Sequence, residues 1–224
     1  MTAARPRVTL KLATSLDGRI ATASGKSRWI TGEAAREQSH RLRAEHDAIL
    51  IGIGTARADN PSLTVRLDDF DGEQPVRVVL DTRLRLHPDS ELATTAKEIP
   101  VIVFCSERAP GINASVLAAK GVTVKKIRPA DGGVCPEAVL AGLAEDGVKS
   151  VFVEGGGQVA ASFIKAGLVD ALEWFRAPVV LGGDGVAGIG DLDMDAPGAA
   201  PRFRLQDSTD LGGDVWDRYV PVRE

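Results

Sequence analysis

The segment best suited to chemistry is Val151-Phe152-Val153-Glu154-Gly155-Gly156-Gly157-Gln158. An apolar run of strand type ends in a carboxylate, passes through three glycines and enters a helical pattern. Backbone N–H groups at a helix start attract anions, and glycine lets a phosphate approach the main chain. The segment is neither a G-x-G-x-x-G fingerprint nor a P-loop. The same glycines also suit a tight strand-to-helix turn with no ligand, and Glu154 could simply complement the helix dipole. Glu154 nevertheless favours binding, because open α/β sheets place ligand contacts at the carboxyl ends of parallel strands.

Three further segments offer similar chemistry. Ser27-Arg28-Trp29-Ile30-Thr31 sets hydroxyls and a cation before a helix, which suits an anion; the competing reading is a capped helix with Trp29 as a core anchor. Gly52-Ile53-Gly54-Thr55 runs through Asp59-Asn60-Pro61 to Leu63-Thr64-Val65-Arg66, a strand end meeting a polar loop. Arg66, taken with Arg43, offers planar, permanently charged donors for phosphate, although surface arginines are commonly just solvated. Asp81-Thr82-Arg83 follows an apolar run; an acid there suits a ribose diol, and a hydroxyl with an arginine suits a 2′-phosphate, so Arg83 leans toward NADPH.

The elements that must position these residues follow from periodicity. Val8–Ala13 alternates as a strand, and Asp17-Gly18 reads as a turn. Residues 15–28 read as a mobile loop. Thr31 is the expected N-cap of a helix reaching Glu45. Residues 48–53, 76–80, 101–104, 122–127 and 150–153 read as strands, with helices at 114–119, 136–145 and 156–166. Residues 170–175 and 179–181 are expected to continue the sheet, and 182–201 to form a loop. Alternation of strands and helices implies a mainly parallel sheet with helices on its faces. Phe203–Ser208 and Val215–Pro221, joined by a Gly-rich connection, should pair antiparallel. The length of 224 residues favours a single α/β domain over residues 1–224.

Composition narrows the function. A net charge of −4 argues against sequence-independent nucleic-acid binding, which needs clustered cations. Cys105 and Cys135 make no disulfide framework, and His40, His46 and His87 lack metal-ligand spacing, so no metal is expected. No signal peptide or membrane-spanning run is legible, and the expected location is the cytoplasm.

Taken together, Lys11-Leu-Ala-Thr-Ser-Leu-Asp17-Gly18-Arg19, Ser27-x-Trp29-Ile30-Thr31, Leu42-Arg43-Ala44, Asp47-Ala-Ile-Leu, Gly54-Thr55, Ala58-Asp59-Asn60-Pro61-x-Leu63-Thr64-Val65-Arg66, Glu154-Gly-Gly and Leu181-Gly-Gly resemble, in order and spacing, the pyrimidine reductase of riboflavin biosynthesis. The resemblance covers essentially the whole chain. It implies a dihydrofolate-reductase-like α/β fold and a homodimer. It also implies NADPH-dependent reduction of the ribosyl side chain of a small phosphorylated pyrimidine to a ribityl chain. By matching position, Thr14, Trp29, Thr55, Asp59, Thr82 and the segment Gly156, Gly157, Gln158, Val159, Ala160, Ala161 and Ser162 would contact NADPH. Ser27, Arg43, Leu63 and Arg66 would bind substrate, with the arginines and Ser27 on the 5′-phosphate. Glu154 and Lys11 would lie nearest the reacting ribose, while Glu154, Lys11 and bound water all stand open as proton donor. The H-x-E and P-C-x-x-C motifs of the zinc deaminase that precedes this domain in many bacteria are not in the sequence. Two substrates therefore stay open, the uracil form and the diaminopyrimidinone form. Alternatives are a pterin or folate reductase of the same fold and a non-catalytic nucleotide-binding protein.

Overall fold

Apolar residues arrive in runs of strand length, and most of these runs form strands. The computed structural model describes residues 5–130 and 133–223. In chain order the elements are β1 (Arg7–Thr14), β2 (Arg19–Ala21), α1 (Glu33–Ala44), β3 (Ala48–Gly52), α2 (Ile53–Asp59), β4 (Val76–Leu80), α3 (Glu91–Thr94), β5 (Val101–Ser106), α4 (Gly111–Ala119) and β6 (Thr123–Ile127). They continue with β7 (Pro129–Ala130), β8 (Gly133–Val134), α5 (Pro136–Glu145), β9 (Ser150–Gly155), α6 (Gly157–Lys165), β10 (Ala171–Arg176), β11 (Val186–Ala187), β12 (Phe203–Asp210) and β13 (Val215–Pro221). The chain divides into two compact units. One takes the chain up to Arg7 together with His40–Phe152; the other takes Val8–Ser39 and Val153–Glu224.

In the first unit β3, β4, β5 and β6 are successive parallel neighbours, with Leu50 opposite Val78, Val78 opposite Ile102, and Val103 opposite Val124. Every residue of β3 and β5 is buried, which is why these stretches read as unbroken apolar runs and not as alternating ones. One core of this unit joins Ile49, Ile51, Val79 and Val103 to Leu92 and Leu117. In the second unit β1 lies parallel to β10, with Lys11 opposite Glu173. β10 pairs antiparallel with β13, and β13 with β12, which is the C-terminal hairpin expected from the sequence. The expected class, α/β with a mostly parallel sheet, is therefore present. Among the described residues no helix is long and apolar enough to cross a membrane.

Four expectations need correction. Residues 179–181 form no strand: Val179 and Val180 are exposed, and the Leu181 and Gly182 N–H groups bond the Asp17 carboxylate instead of a neighbouring strand. The stretch read as a loop from Ser15 contains β2, which pairs with β11 inside the second expected loop. These strands are too short to show a period. Ile53 opens helix α2 and does not end β3; Gly52 precedes it in extended conformation. Thr31 is not the residue before α1, since the helix starts at Glu33 and the Gly32 N–H donates to Asp214 Oδ2 at 2.6 Å. No local pattern announces a partner so far away in sequence.

Candidate active site

Within the first unit, helix α1 aims two side chains at one loop. His40 and Arg43 stand three residues apart and so share a helix face. Arg43 Nη1 donates to the Thr64 carbonyl at 2.8 Å, and His40 Nδ1 accepts the Arg66 N–H at 3.1 Å. Gln74 grips the same loop at Val65, accepting from its N–H at 2.8 Å and donating to its carbonyl at 3.1 Å. From below, the buried Arg77 donates to Ser62 O at 3.2 Å, to Thr95 Oγ1 at 2.8 Å and to Ile99 O at 2.5 Å. Burial lowers the Arg77 pKa, and its acceptors are neutral oxygens. The loop so held is not relaxed: Asn60 and Leu63 both adopt left-handed backbone, with φ of 43° and 52°. Such residues persist only where the surroundings over-determine them, and they cluster at ligand clamps.

The arginines are therefore built into a structure and are not simply solvated. The exposed Arg66 reaches Ser62 Oγ with Nη1 at 3.2 Å and lies 3.3 Å from His40 Nε2 with Nη2. The Leu63 side chain is buried in the core of its unit, so its backbone is what it can offer a ligand. Thr55 lies on α2, half-buried, and Asp59 is exposed at the end of that helix. Thr82 follows β4, and its carbonyl accepts the Ser106 N–H at 3.1 Å. Asp81, read as a candidate for a ribose diol, is turned inward: Oδ2 accepts the N–H groups of Arg85 and Leu86, and burial raises its pKa despite them. It shapes its own turn.

Within the second unit, Lys11 and Thr14 come from β1. Lys11 is half-buried, with Nζ 5.9 Å from the centre of the Phe175 ring. Thr14 is fully buried; its hydroxyl donates to Ser15 O at 2.9 Å and accepts from Trp174 Nε1 at 2.8 Å. Ser27 is half-buried, whereas Trp29 is 69% exposed, which excludes the core-anchor reading. Its ring lies 4.5 Å from the Arg36 guanidinium and 5.7 Å from that of Arg28. Glu154 is half-buried near the end of β9.

Two of the three glycines have reasons of their own. Gly156 has φ of 73°, a conformation that favours glycine. A Cβ on Gly157 would stand 2.5 Å from the Ala187 carbonyl oxygen. Of the segment read as a cofactor contact, Val159, Ala160 and Ala161 are buried, and Ser162 Oγ donates to Val159 O at 2.8 Å. Gly156, Gly157, the exposed Gln158 and the half-buried Ser162 remain as its accessible part. The first turn of α6 holds no acidic residue and no side chain caps it, so its amides suit an anion. His40, Gln74 and Arg77 were missed by sequence reasoning. The three-residue spacing of His40 and Arg43 was the available signal for the first.

The Ser15–Arg19 turn is tethered to residues 179–182. Asp17 accepts from Ser15 Oγ at 2.6 Å, from the Leu181 N–H at 3.1 Å and from the Gly182 N–H at 2.7 Å. The Ser15 hydroxyl, followed by the Leu181 amide, holds the Asp17 carboxyl at a pKa of about 2.

A family model described as the RibD C-terminal domain matches residues 6–216. The riboflavin biosynthesis protein RibD of Bacillus amyloliquefaciens is 41% identical over 220 residues, covering 96% of this chain and 57% of that protein. The 2,5-diamino-6-ribosylamino-4(3H)-pyrimidinone 5′-phosphate reductase of Methanothermobacter thermautotrophicus is 37% identical over 219 residues, covering 96% of this chain and 98% of that protein. Among solved structures, Acinetobacter baumannii RibD aligns with a TM-score of 0.84 at 34% identity, covering 98% of this chain and 59% of that one. The chain thus spans somewhat under three-fifths of the RibD relatives it matches.

Proposed function

This chain belongs to the family of RibD C-terminal domains, and from that premise we propose that it is an NADPH-dependent reductase of riboflavin biosynthesis. It reduces the ribosyl side chain of 5-amino-6-(5-phosphoribosylamino)uracil, or of the diaminopyrimidinone analogue, to the ribityl form. The observation that carries this reading is the archaeal relative named for the reductase reaction, matched over 98% of its own length. The chain works as a cytoplasmic homodimer.

The residues suit the chemistry. The uncapped, acid-free first turn of α6 and the exposed Trp29 ring fit a cofactor that carries phosphates and aromatic rings. Gly156, Gly157 and Gln158 hold it through their backbone, joined by Trp29, Thr55, Asp59 and Thr82. Thr14, Val159, Ala160 and Ala161, enclosed by protein, act by shaping the wall behind them, with the half-buried Ser162 beside them. When bound, NADPH supplies the hydride. The closed N-glycoside must open to an imine-like C1′ before it can be reduced, so the protein has to stabilise charge at the sugar and exclude water. Glu154 and Lys11 stand nearest the reacting ribose. Arg43 and Arg66 grip the 5′-phosphate, remote binding energy applied to orientation at C1′. Ser27 and the Leu63 backbone complete the substrate contacts.

The test is NADPH oxidation with four compounds: each phosphorylated pyrimidine, the dephosphorylated uracil compound and dihydrofolate. Turnover is expected with a phosphorylated pyrimidine only. Equal turnover of the dephosphorylated compound, or turnover of dihydrofolate alone, contradicts the reading.

A further inference from the structure

We infer that Phe175 is a positioning residue for the reduction: its ring, backed by Trp216 and pinned through Glu173, holds the Lys11 ammonium toward the carboxyl ends of β1 and β10. This rests on the reading above that Lys11 stands nearest the reacting ribose.

The register of three strands builds a platform on one face of the second unit's sheet. Lys11 on β1 is opposite Glu173 on β10, and Glu173 is opposite Arg218 on β13. Paired positions on neighbouring strands share a face and lie about 4.8 Å apart. Two residues further along β1 and β10, the next row is Ala13, Phe175 and Trp216. Alanine is small there, and the Lys11 side chain leans into that row: its Nζ lies over the Phe175 ring, 5.9 Å from the centroid. An ammonium this close to a ring face is drawn to its negative quadrupole. The lean is toward the carboxyl ends of both strands, where open α/β sheets place ligand contacts. The ring itself is fixed. Phe175 is fully buried and stacks on Trp216, with centroids 5.7 Å apart and planes 4° from parallel. Trp216 Nε1 donates to Glu173 Oε2 at 2.7 Å, and Arg218 Nε lies 3.4 Å from Glu173 Oε1. Glu173 is 4% exposed, and a carboxylate that deep must be paired, so it commits the indole to one orientation. The Arg218 guanidinium closes the far end, 5.3 Å from the Trp216 ring. The order along the platform is cation, ring, ring, cation. A flexible four-carbon stem is thereby given a fixed direction.

A ring-trifluorinated phenylalanine at position 175 separates electrostatics from packing, because fluorine drains the negative face of the ring and leaves its shape nearly intact. The substrate is 5-amino-6-(5-phosphoribosylamino)uracil or its diaminopyrimidinone analogue, and the readout is the single-turnover rate of NADPH oxidation at saturation. Fluorination should lower that rate about fivefold, the size of one partly desolvated cation–π contact. A monofluorinated ring should give an intermediate rate, and both KM values should stay within about twofold of the parent. In a Lys11→Met background the same replacement should change the rate by less than about twofold, since a residue that acts through Lys11 has nothing left to position. Turnovers followed over hours keep the slow variants measurable. A rate indifferent to fluorination, or an equal fall with and without Lys11, overturns the proposal. If Lys11→Met alone leaves the rate unchanged, the reading of Lys11 fails; if it lowers the rate while fluorination does not, only the platform fails. Thermal unfolding identifies loss of fold. Should the fluorinated chain not fold, Trp216→Leu, which removes the backing ring, is measured in the same two backgrounds. A fall of about threefold that vanishes without Lys11 supports the platform, and no fall or an equal one overturns it.

Discussion

Arg77 shows how a buried residue can hold a loop that carries candidate site residues. The residue is 1% exposed, and its guanidinium bonds neutral oxygens of Ser62, Thr95 and Ile99. Arg77→Met removes the donors and leaves part-buried acceptors without them, each costing up to about 1–3 kcal/mol. A loss of about 3 kcal/mol in urea unfolding is expected, and a change under about 1 kcal/mol would mean that the loop does not depend on it. None of this was legible in the sequence, where Arg77 sits within an apolar run and looks like an ordinary strand residue. Arg43 and Arg66 were legible as phosphate candidates because their chemistry is visible from residue type alone. Leu63 and Thr14 are candidates only through resemblance: both are buried, and what an enclosed residue presents to a ligand is set by backbone geometry that no residue type encodes.

At the scale of elements, segments that carry a signal of their own were read correctly and the shortest ones were not. β3, β5 and α5 carry their own signals, an apolar run or a proline start followed by a regular face. β2 and β11 are three and two residues long and exist through their pairing with each other. The glycines of this region divide by what surrounds them. Gly157→Ala forces a Cβ to within 2.5 Å of the Ala187 carbonyl oxygen and should destabilise by about 1–3 kcal/mol. Gly54→Ala, in α2 with nothing within 4 Å, should be neutral or stabilising by up to about 1 kcal/mol. Urea unfolding of the pair checks both; equal effects would contradict the packing argument. The Asp17 tether adds a pH dependence. Its carboxyl titrates near 2 in the folded chain, below the ordinary value of 3.8. A depressed value means the tether contributes fully above about pH 4 and is lost as the pH falls toward 2. Asp17→Ala should expose the Leu181 and Gly182 amides to hydrogen exchange at neutral pH; unchanged protection would show that other contacts hold them.

At the scale of the whole molecule, the class was legible because repeated strand–helix alternation admits few topologies, and the C-terminal hairpin because only a Gly-rich connection joins its two strands. The set of candidate site residues depended on the ordered motifs as a group, since no one of them is diagnostic. The functional account makes one demand on the entire chain: that it move a hydride to C1′ of a phosphorylated ribosylamino-pyrimidine. The most direct measurement uses NADPH carrying deuterium at the nicotinamide C4 position, both faces labelled, with mass analysis of the pyrimidine product. The account predicts a ribityl product heavier by one deuterium, located at C1′, formed in step with NADPH consumption. Product formed without label, label elsewhere in the molecule, or no consumption of NADPH with either phosphorylated pyrimidine would contradict it.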